Sequence, residues 1–177
     1  GDTKDGDKER HLLTGFELAS RLSYFLWSSM PDEELFRLAS PGLPTEPRVL
    51  EAQIDRMIRE PTADAFIDGF AGQWLILRNL EDIEIDRERF ASYDESLMHS
   101  MIAEPIHFCK DMIRRNRPIT DLINARDTFV NERLATHYGM KGVRGDRVRR
   151  VELASDSPRG GVLTMGAVLT VTSNPTR

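Results

Sequence analysis

The chain has 177 residues, of which 40% are hydrophobic and 30% are charged, and this balance predicts an ordinary globular domain rather than a disordered segment. Its single cysteine, Cys109, excludes an internal disulfide, a CxxC metal site and a CxxCH haem-attachment motif within this chain. No apolar run approaches the roughly 20 residues that a membrane-spanning helix needs, so no membrane span is predicted.

Charge is distributed unevenly along the chain. Residues 1–109 carry 11 Lys/Arg and 22 Asp/Glu, whereas residues 110–177 carry 13 and 7. We expect the two halves to complement each other within one fold, and a partner or anionic-ligand surface on the basic half is the alternative. Because no aromatic residues are interleaved with the basic ones and no nucleic-acid motif is present, a nucleic-acid partner is not predicted.

The first residues, 1–13, are polar and predict a linker, so we expect the chain to be a piece of a longer polypeptide. A helix is predicted from the capping-box pair Thr14 and Glu17 to about Ser28. Pro31 then fits the start of a second, short helix, whose acidic first residues suit the positive end of the helix dipole.

Two further helices are predicted at 48–60 and 63–78, after a turn-rich connection at 41–47. Gly69 and Gly72 weaken the second of these helices, which predicts that a neighbouring helix approaches closely there. Six aromatic residues on the first and fourth helices have the spacing of two helices that pack on each other in the core, and contact with a ligand or haem is the alternative. They are Tyr24, Phe25, Trp27, Phe66, Phe70 and Trp74.

An acidic connection at 81–88 leads into a long helix predicted at about 94–115. The connection lacks the D-x-D-x-D-G frame of a calcium loop, so a solvated connector is expected. Pro105 lies in the middle of the long helix and is predicted to kink it or split it in two.

The long helix also carries the polar residues His99, Glu104 and His107. Their spacing differs from that of an HExxH motif, so they are predicted to be exposed and unconnected, and no metal site is predicted. Cys109 falls on the apolar face of the same helix, which predicts a buried and unreactive thiol.

The C-terminal third begins with a turn of helix at 121–123 and a helix at 130–138 that Gly139 closes. An extended segment is predicted at 147–153, and helix is favoured over strand for 162–169. The predicted fold is therefore mostly α: an irregular bundle of about six to seven helices with a short extended C-terminal segment.

A candidate polar cluster is formed by the polar face of residues 131–137 together with the Arg-Gly-Gly turn that follows the extended segment. Convergence of these side chains in a deep pocket would favour an enzyme, whereas engagement in salt bridges would count against one. No catalytic role is assigned to any residue, and whether the chain is an enzyme stays open. The candidates are Asn131, Glu132, Arg133, His137 and Arg159.

Four stretches, in the correct order, resemble the uncharacterised domains of planctomycete-type multi-domain cytochrome c proteins. Glu104-Pro105 is a departure, because that family more often has Glu-Thr at this place. The resembling stretches are ELASRLSYFLWSSMPDEEL (17–35), FAGQWL (70–75), FVNERLATHYG (129–139) and RGGVLTMGAVLTVTSNPTR (159–177).

The resemblance implies a helical domain at 14–140, and a connection with the beginning of the next family domain at 141–177. It implies haem c elsewhere in the full-length protein, none within this chain, and a periplasmic or exported location. The expected function is a helical scaffold or interaction module whose partners are neighbouring domains of the same polypeptide or a protein or polymeric extracellular partner. The alternative is the substrate-binding or catalytic part of a haem-linked periplasmic redox enzyme that acts on an extracellular substrate.

Overall fold

The computed structural model describes residues 13–40, 47–83, 85–86 and 88–173. Most of the predicted linker at 1–13 and of the predicted turn at 41–47 lies outside these residues. The described residues form eight α-helices and two strands, which confirms the prediction of a mostly α fold. The elements are α1 (Gly15–Trp27), α2 (Glu33–Ala39), α3 (Pro47–Arg59), α4 (Asp64–Trp74), α5 (Glu95–Arg114), α6 (Asp121–Asn124), β1 (Asp127–Val130), α7 (Glu132–His137), β2 (Arg149–Glu152) and α8 (Gly166–Thr172), with 3-10 turns at Pro61–Ala63, Leu77–Leu80 and Val162–Thr164.

The chain divides into two compact units, Gly1–Ala63 and Asp64–Arg177. None of the helices in the described parts of either unit combines the length and the apolar character needed to span a bilayer. The family-derived boundary at 140 stays a prediction, although β2 and α8, which lie beyond it, pack with β1 and α5 inside the second unit.

The first unit is built from α1, α2 and α3, and its helix starts are fixed by side-chain caps. The capping box of α1 is present: Thr14 Oγ1 accepts from the backbone N–H of Glu17 at 3.3 Å, and Glu17 Oε2 accepts from the backbone N–H of Thr14 at 2.8 Å. Asp32 caps α2 and also accepts from Arg56 of α3 at 2.7 Å, so one carboxylate ties two helices together.

The second unit is organised around α5, whose buried stripe contacts β1, α4, α7 and α8. The two strands pair antiparallel, with Asp127 opposite Glu152 and Val130 opposite Arg149. On another side of α5, Lys110 forms ion pairs with Asp64 at 3.2 Å and with Asp68 of α4 at 2.8 Å. This arrangement brings α5, β1, α7 and the start of α8 around one point in the interior.

Several predicted element boundaries are wrong. The fourth helix ends at Trp74 instead of about 78, because Ile76 adopts a left-handed conformation with φ of 56° before the next 3-10 turn. Helix α5 runs through Pro105 as one element, so the predicted split is wrong, whereas the predicted kink stays a prediction. Proline removes a single backbone hydrogen bond, and the helix is held on both sides by buried packing. Strand β1 was not predicted, because all four of its residues are buried and the alternation that marks a strand is absent.

The predicted aromatic core is wrong for four of its six residues. Tyr24 and Phe25 are 57% and 64% exposed, and Phe70 and Trp74 are 48% and 46% exposed. Helix α1 instead buries Ala19, Ser23 and Leu26. Helix α4 buries Ile67 and Ala71. Helical periodicity places the large rings beside these stripes of mostly smaller residues rather than on them.

Trp27 is the exception on α1, because it is half-buried and its indole N–H donates to the backbone carbonyl of Met57 at 2.9 Å. The predicted close approach at Gly69 and Gly72 is also wrong. A Cβ added at either glycine would meet no atom within 4 Å.

Candidate functional site

The interior of the second unit contains a buried carboxyl group, Glu104, at the middle of α5. Glu104 is 2% exposed, so the prediction that it is an exposed polar residue is wrong. The hydroxyl of Thr128, on β1, lies 2.5 Å from Oε1, and the hydroxyl of Tyr138, directly after α7, donates to Oε2 at 2.6 Å. One carboxyl group therefore joins three elements that are distant in sequence.

Tyr138 extends this network to a fourth element. Its hydroxyl oxygen accepts from the backbone N–H of Gly166, the first residue of α8, at 2.7 Å. A Cβ at position 166 would lie 2.8 Å from that oxygen, so the close approach requires glycine. The guanidinium carbon of Arg159 lies 3.5 Å from the centroid of the Tyr138 ring, and Arg159 also donates to the carbonyl of Thr164 at 2.8 Å.

The electrostatics of the network follow from its burial. Removal from water raises the pKa of Glu104, and the hydrogen bonds from Thr128 and Tyr138 oppose this shift. Burial and the neighbouring Glu104 charge raise the pKa of Tyr138 well above its usual range. The pair can thus hold a proton inside the protein, but it is enclosed rather than open to a substrate.

Three residues of the predicted polar cluster serve as structural connections. Asn131 caps α7 by accepting from the backbone N–H of Leu134 at 2.9 Å, and its amide donates to Ser100 at 2.9 Å. Glu132 accepts from the backbone N–H of Gly145 at 2.6 Å. It also accepts from Arg144 at 2.8 Å, and Arg133 pairs with Asp94 at 2.9 Å.

The other two members of the predicted cluster lie next to Tyr138. Arg159 stacks on the Tyr138 ring, and the His137 ring centroid lies 5.7 Å from that of Tyr138. Burial lowers the pKa of His137, and the positive charges of Arg159 and Arg133 lower it further. His137 also lines a cavity of about 360 Å³. A catalytic or binding role for the five residues together stays a prediction.

Sequence reasoning missed the Glu104 network, although one signal was present. Positions 97, 101, 104, 108 and 112 form one stripe of α5 at helical spacing, and Glu104 is the only charged residue on it. A carboxylate on an apolar stripe predicts a buried and hydrogen-bonded group. No comparable signal identifies Thr128 and Tyr138 as its partners.

A second buried network, also missed, surrounds Arg117 after the end of α5. Its guanidinium pairs with Asp127 at 2.6 Å, Asp111 at 2.9 Å and Asp121 at 2.9 Å, and Asp127 in turn accepts from Arg150 at 3.0 Å. These hydrogen bonds lower the pKa of Asp127 against the effect of its burial. The network joins the end of α5, the start of α6 and the β-ribbon that β1 and β2 form.

The residues of this chain do not fit a covalently attached haem. Such attachment needs two cysteines followed by a histidine, and the chain has one cysteine. Cys109 is 3% exposed, as predicted, and burial raises its pKa to about 11. Within the described residues, no group of three His, Cys, Asp or Glu side chains is arranged to hold a metal ion.

These features define a mostly helical domain with a small β-ribbon and a buried carboxyl–tyrosine network. The chain belongs to the family PSD4, a protein of unknown function (DUF1592), whose model matches residues 13–140. No curated protein and no solved structure matched the chain.

Proposed function

We propose that this chain is a helical scaffold or interaction module of an exported, multi-domain c-type cytochrome. Its partners would be neighbouring domains of the same polypeptide, or a protein or polymeric extracellular partner. The four stretches that resemble planctomycete-type cytochrome c proteins support this context, and haem would be carried by another segment.

The observation that carries the scaffold role is a row of aromatic rings on the surface of α4. The rings of Phe70 and Trp74 stack with centroids 5.8 Å apart and an angle of 22° between their planes, and both remain about half exposed. Aromatic residues are enriched where proteins contact partners, because a large rigid ring gains contact area at a small cost in conformational entropy. The row therefore suits contact with another domain.

Most of the candidate polar side chains support the same role. Asn131, Glu132 and Arg133 bind backbone or side-chain partners that hold α7 and its neighbours in place. A catalytic cluster would instead present groups that converge on an open site.

The test of the cytochrome context is purification of the full-length protein with haem staining and redox titration, with and without residues 13–173. The proposal predicts covalent haem in both forms, and a changed potential, stability or partner binding after the deletion. A full-length protein without covalent haem would contradict the cytochrome context. Unchanged potential, stability and partner binding would contradict the scaffold role.

One observation favours the second candidate, the substrate-binding or catalytic part of a haem-linked redox enzyme. His137 lines the cavity of about 360 Å³, next to Tyr138 and its network. Substitution of His137 by Phe in the full-length protein would abolish turnover of an extracellular substrate under this second proposal and leave the scaffold role intact.

A further inference from the structure

The cavity that His137 lines has the properties of a small-molecule site. It lies within the second unit, between residues that precede α5 (83, 85, 86, 90, 92 and 93), α5, α7 and α8. Its volume of about 360 Å³ falls within the range of about 300–1,000 Å³ that small-molecule sites occupy. Its walls are mainly apolar and include two aromatic rings, and they are formed by Ile83, Ile85, Phe90, Tyr93, Met101 and Leu169.

Three of the six polar side chains at the cavity wall are already hydrogen-bonded to backbone groups. The hydroxyl of Thr170 donates to the carbonyl of Gly166 at 2.8 Å, and that of Ser173 donates to the carbonyl of Leu169 at 2.6 Å. Asp86 Oδ1 accepts from two backbone N–H groups, those of residues 88 and 89, at 3.0 and 3.2 Å. These groups close local turns and helix ends rather than face a ligand.

The remaining polar groups at the wall include the hydroxyl of Tyr93, which is buried without a hydrogen-bond partner among the described residues, and two acceptors. Among the described residues, no hydrogen bond is made to the imidazole of His137 or to Asp86 Oδ2. Because burial and two arginines lower the pKa of His137, the ring is neutral at pH 7 and one nitrogen keeps its lone pair. A ligand donor could pair with either acceptor or with the Tyr93 hydroxyl, whereas a ligand anion would face the Asp86 carboxylate. The two arginines near His137 are already engaged, because Arg133 pairs with Asp94 at 2.9 Å and Arg159 stacks on the ring of Tyr138.

We propose that this cavity binds a neutral, mostly aromatic small molecule that carries one N–H or O–H donor, with the donor directed at His137. The aromatic part lies against Phe90, the thioether of Met101 and the side chain of Leu169, where ring and sulfur contacts add to the burial of apolar area. This inference goes beyond the scaffold role and does not depend on haem elsewhere in the polypeptide.

A pair of fluorescent probes tests the proposal on the chain itself. N-Phenyl-1-naphthylamine is neutral and has one N–H donor, and 8-anilino-1-naphthalenesulfonate has the same skeleton with an added sulfonate. The proposal predicts saturable fluorescence enhancement by the neutral probe at one site per chain, and binding of the sulfonate weaker by about tenfold or more. Equal or tighter binding of the sulfonate, or no saturable binding of the neutral probe, would overturn it.

Variants locate the site. Leu169→Trp fills the cavity and is expected to weaken binding of the neutral probe about tenfold or more, whereas Leu163→Trp, at an exposed position outside the lining, leaves it unchanged. His137→Phe keeps a ring but removes the acceptor, so binding falls about five- to tenfold.

Circular dichroism melting establishes that each variant is folded. Should Leu169→Trp fail to fold, Phe90→Ala at a half-exposed position tests the same wall by removing its ring, with about a fivefold loss expected. If Leu169→Trp, or Phe90→Ala in its place, bound the neutral probe as tightly as Leu163→Trp does, the probe would bind elsewhere and the assignment would be refuted.

Discussion

Replacing Glu104 by Gln removes the ionisable group at the centre of the second unit and keeps its size. The amide oxygen can accept from Tyr138, while the amide nitrogen can donate to the hydroxyl of Thr128, which is free to reorient. Since burial raises the pKa of Glu104 above its usual value of 4.5, the folded protein holds a proton that the unfolded chain releases. Between these two pKa values, stability of the natural protein falls as pH rises, by about 1.4 kcal/mol per pH unit.

The free energy of unfolding of the natural protein is therefore expected to fall relative to that of the Gln variant as pH rises above about 5. Urea unfolding followed by Trp74 fluorescence, in a Trp27→Phe background, reports on the second unit alone, because each unit contains one of the two tryptophans. All other titrating groups are common to both proteins and cancel in the difference.

Glu132→Gln is the matched control. The Gly145 N–H and Arg144 lower the pKa of Glu132, so its contribution to stability is present above the usual value of 4.5 and is lost only as pH falls below it. The free energies of unfolding of Glu132→Gln and of the natural protein therefore differ by a constant amount between about pH 5 and about pH 8. The reasoning on the buried carboxyl group would be refuted if the difference in free energy of unfolding between Glu104→Gln and the natural protein did not change with pH. It would also be refuted if that difference came to favour the natural protein as pH rises.

Three further predictions concern stability and reactivity. Arg117→Leu leaves Asp127 buried without its main partner and is expected to lower the free energy of unfolding in urea by about 3–5 kcal/mol. Arg144→Leu breaks an exposed ion pair and is expected to lower it by less than about 1 kcal/mol. Equal losses for the two variants would contradict this prediction. Gly69→Ala is expected to raise the unfolding free energy by about 0.5–1 kcal/mol, because the position is helical and open, and a loss would show an unrecognised contact. The thiol of Cys109 is expected to react with Ellman's reagent at pH 8 only after unfolding, and rapid reaction of the native protein would place the thiol at the surface.

Local features of the fold could be predicted from the sequence. The start of α1 at Thr14 and Glu17 follows from a cap whose partners are three residues apart, and the buried face of α5 around Cys109 follows from helical spacing. The extended segment at 147–153 is present as β2, and the helix predicted at 162–169 is present in part as α8. Each of these predictions depends on residues within one or two turns of one another.

Contacts between distant residues could not be predicted. Glu104 and Tyr138 are 34 residues apart, and Tyr138 and Gly166 are 28 apart, so no local pattern connects them. Aromatic content was misleading for a related reason: the size of a ring indicates that burial would be favourable, but the phase of the helix decides which positions are buried. In α1 that phase selects Ala19 and Ser23 rather than Tyr24.

The scaffold proposal, under which this chain is one part of a longer haem-carrying polypeptide, is tested most directly by association of the chain with the rest of that polypeptide. The two parts are expressed separately, and the complex is followed by analytical ultracentrifugation at haem absorbance. Phe70→Glu with Trp74→Glu places charges on the aromatic row of α4, and Gln73→Glu places one charge beside it on the same helix. The scaffold role predicts a complex that the double variant weakens at least about tenfold and that Gln73→Glu retains. No complex, or a complex that the double variant leaves unchanged, would contradict it.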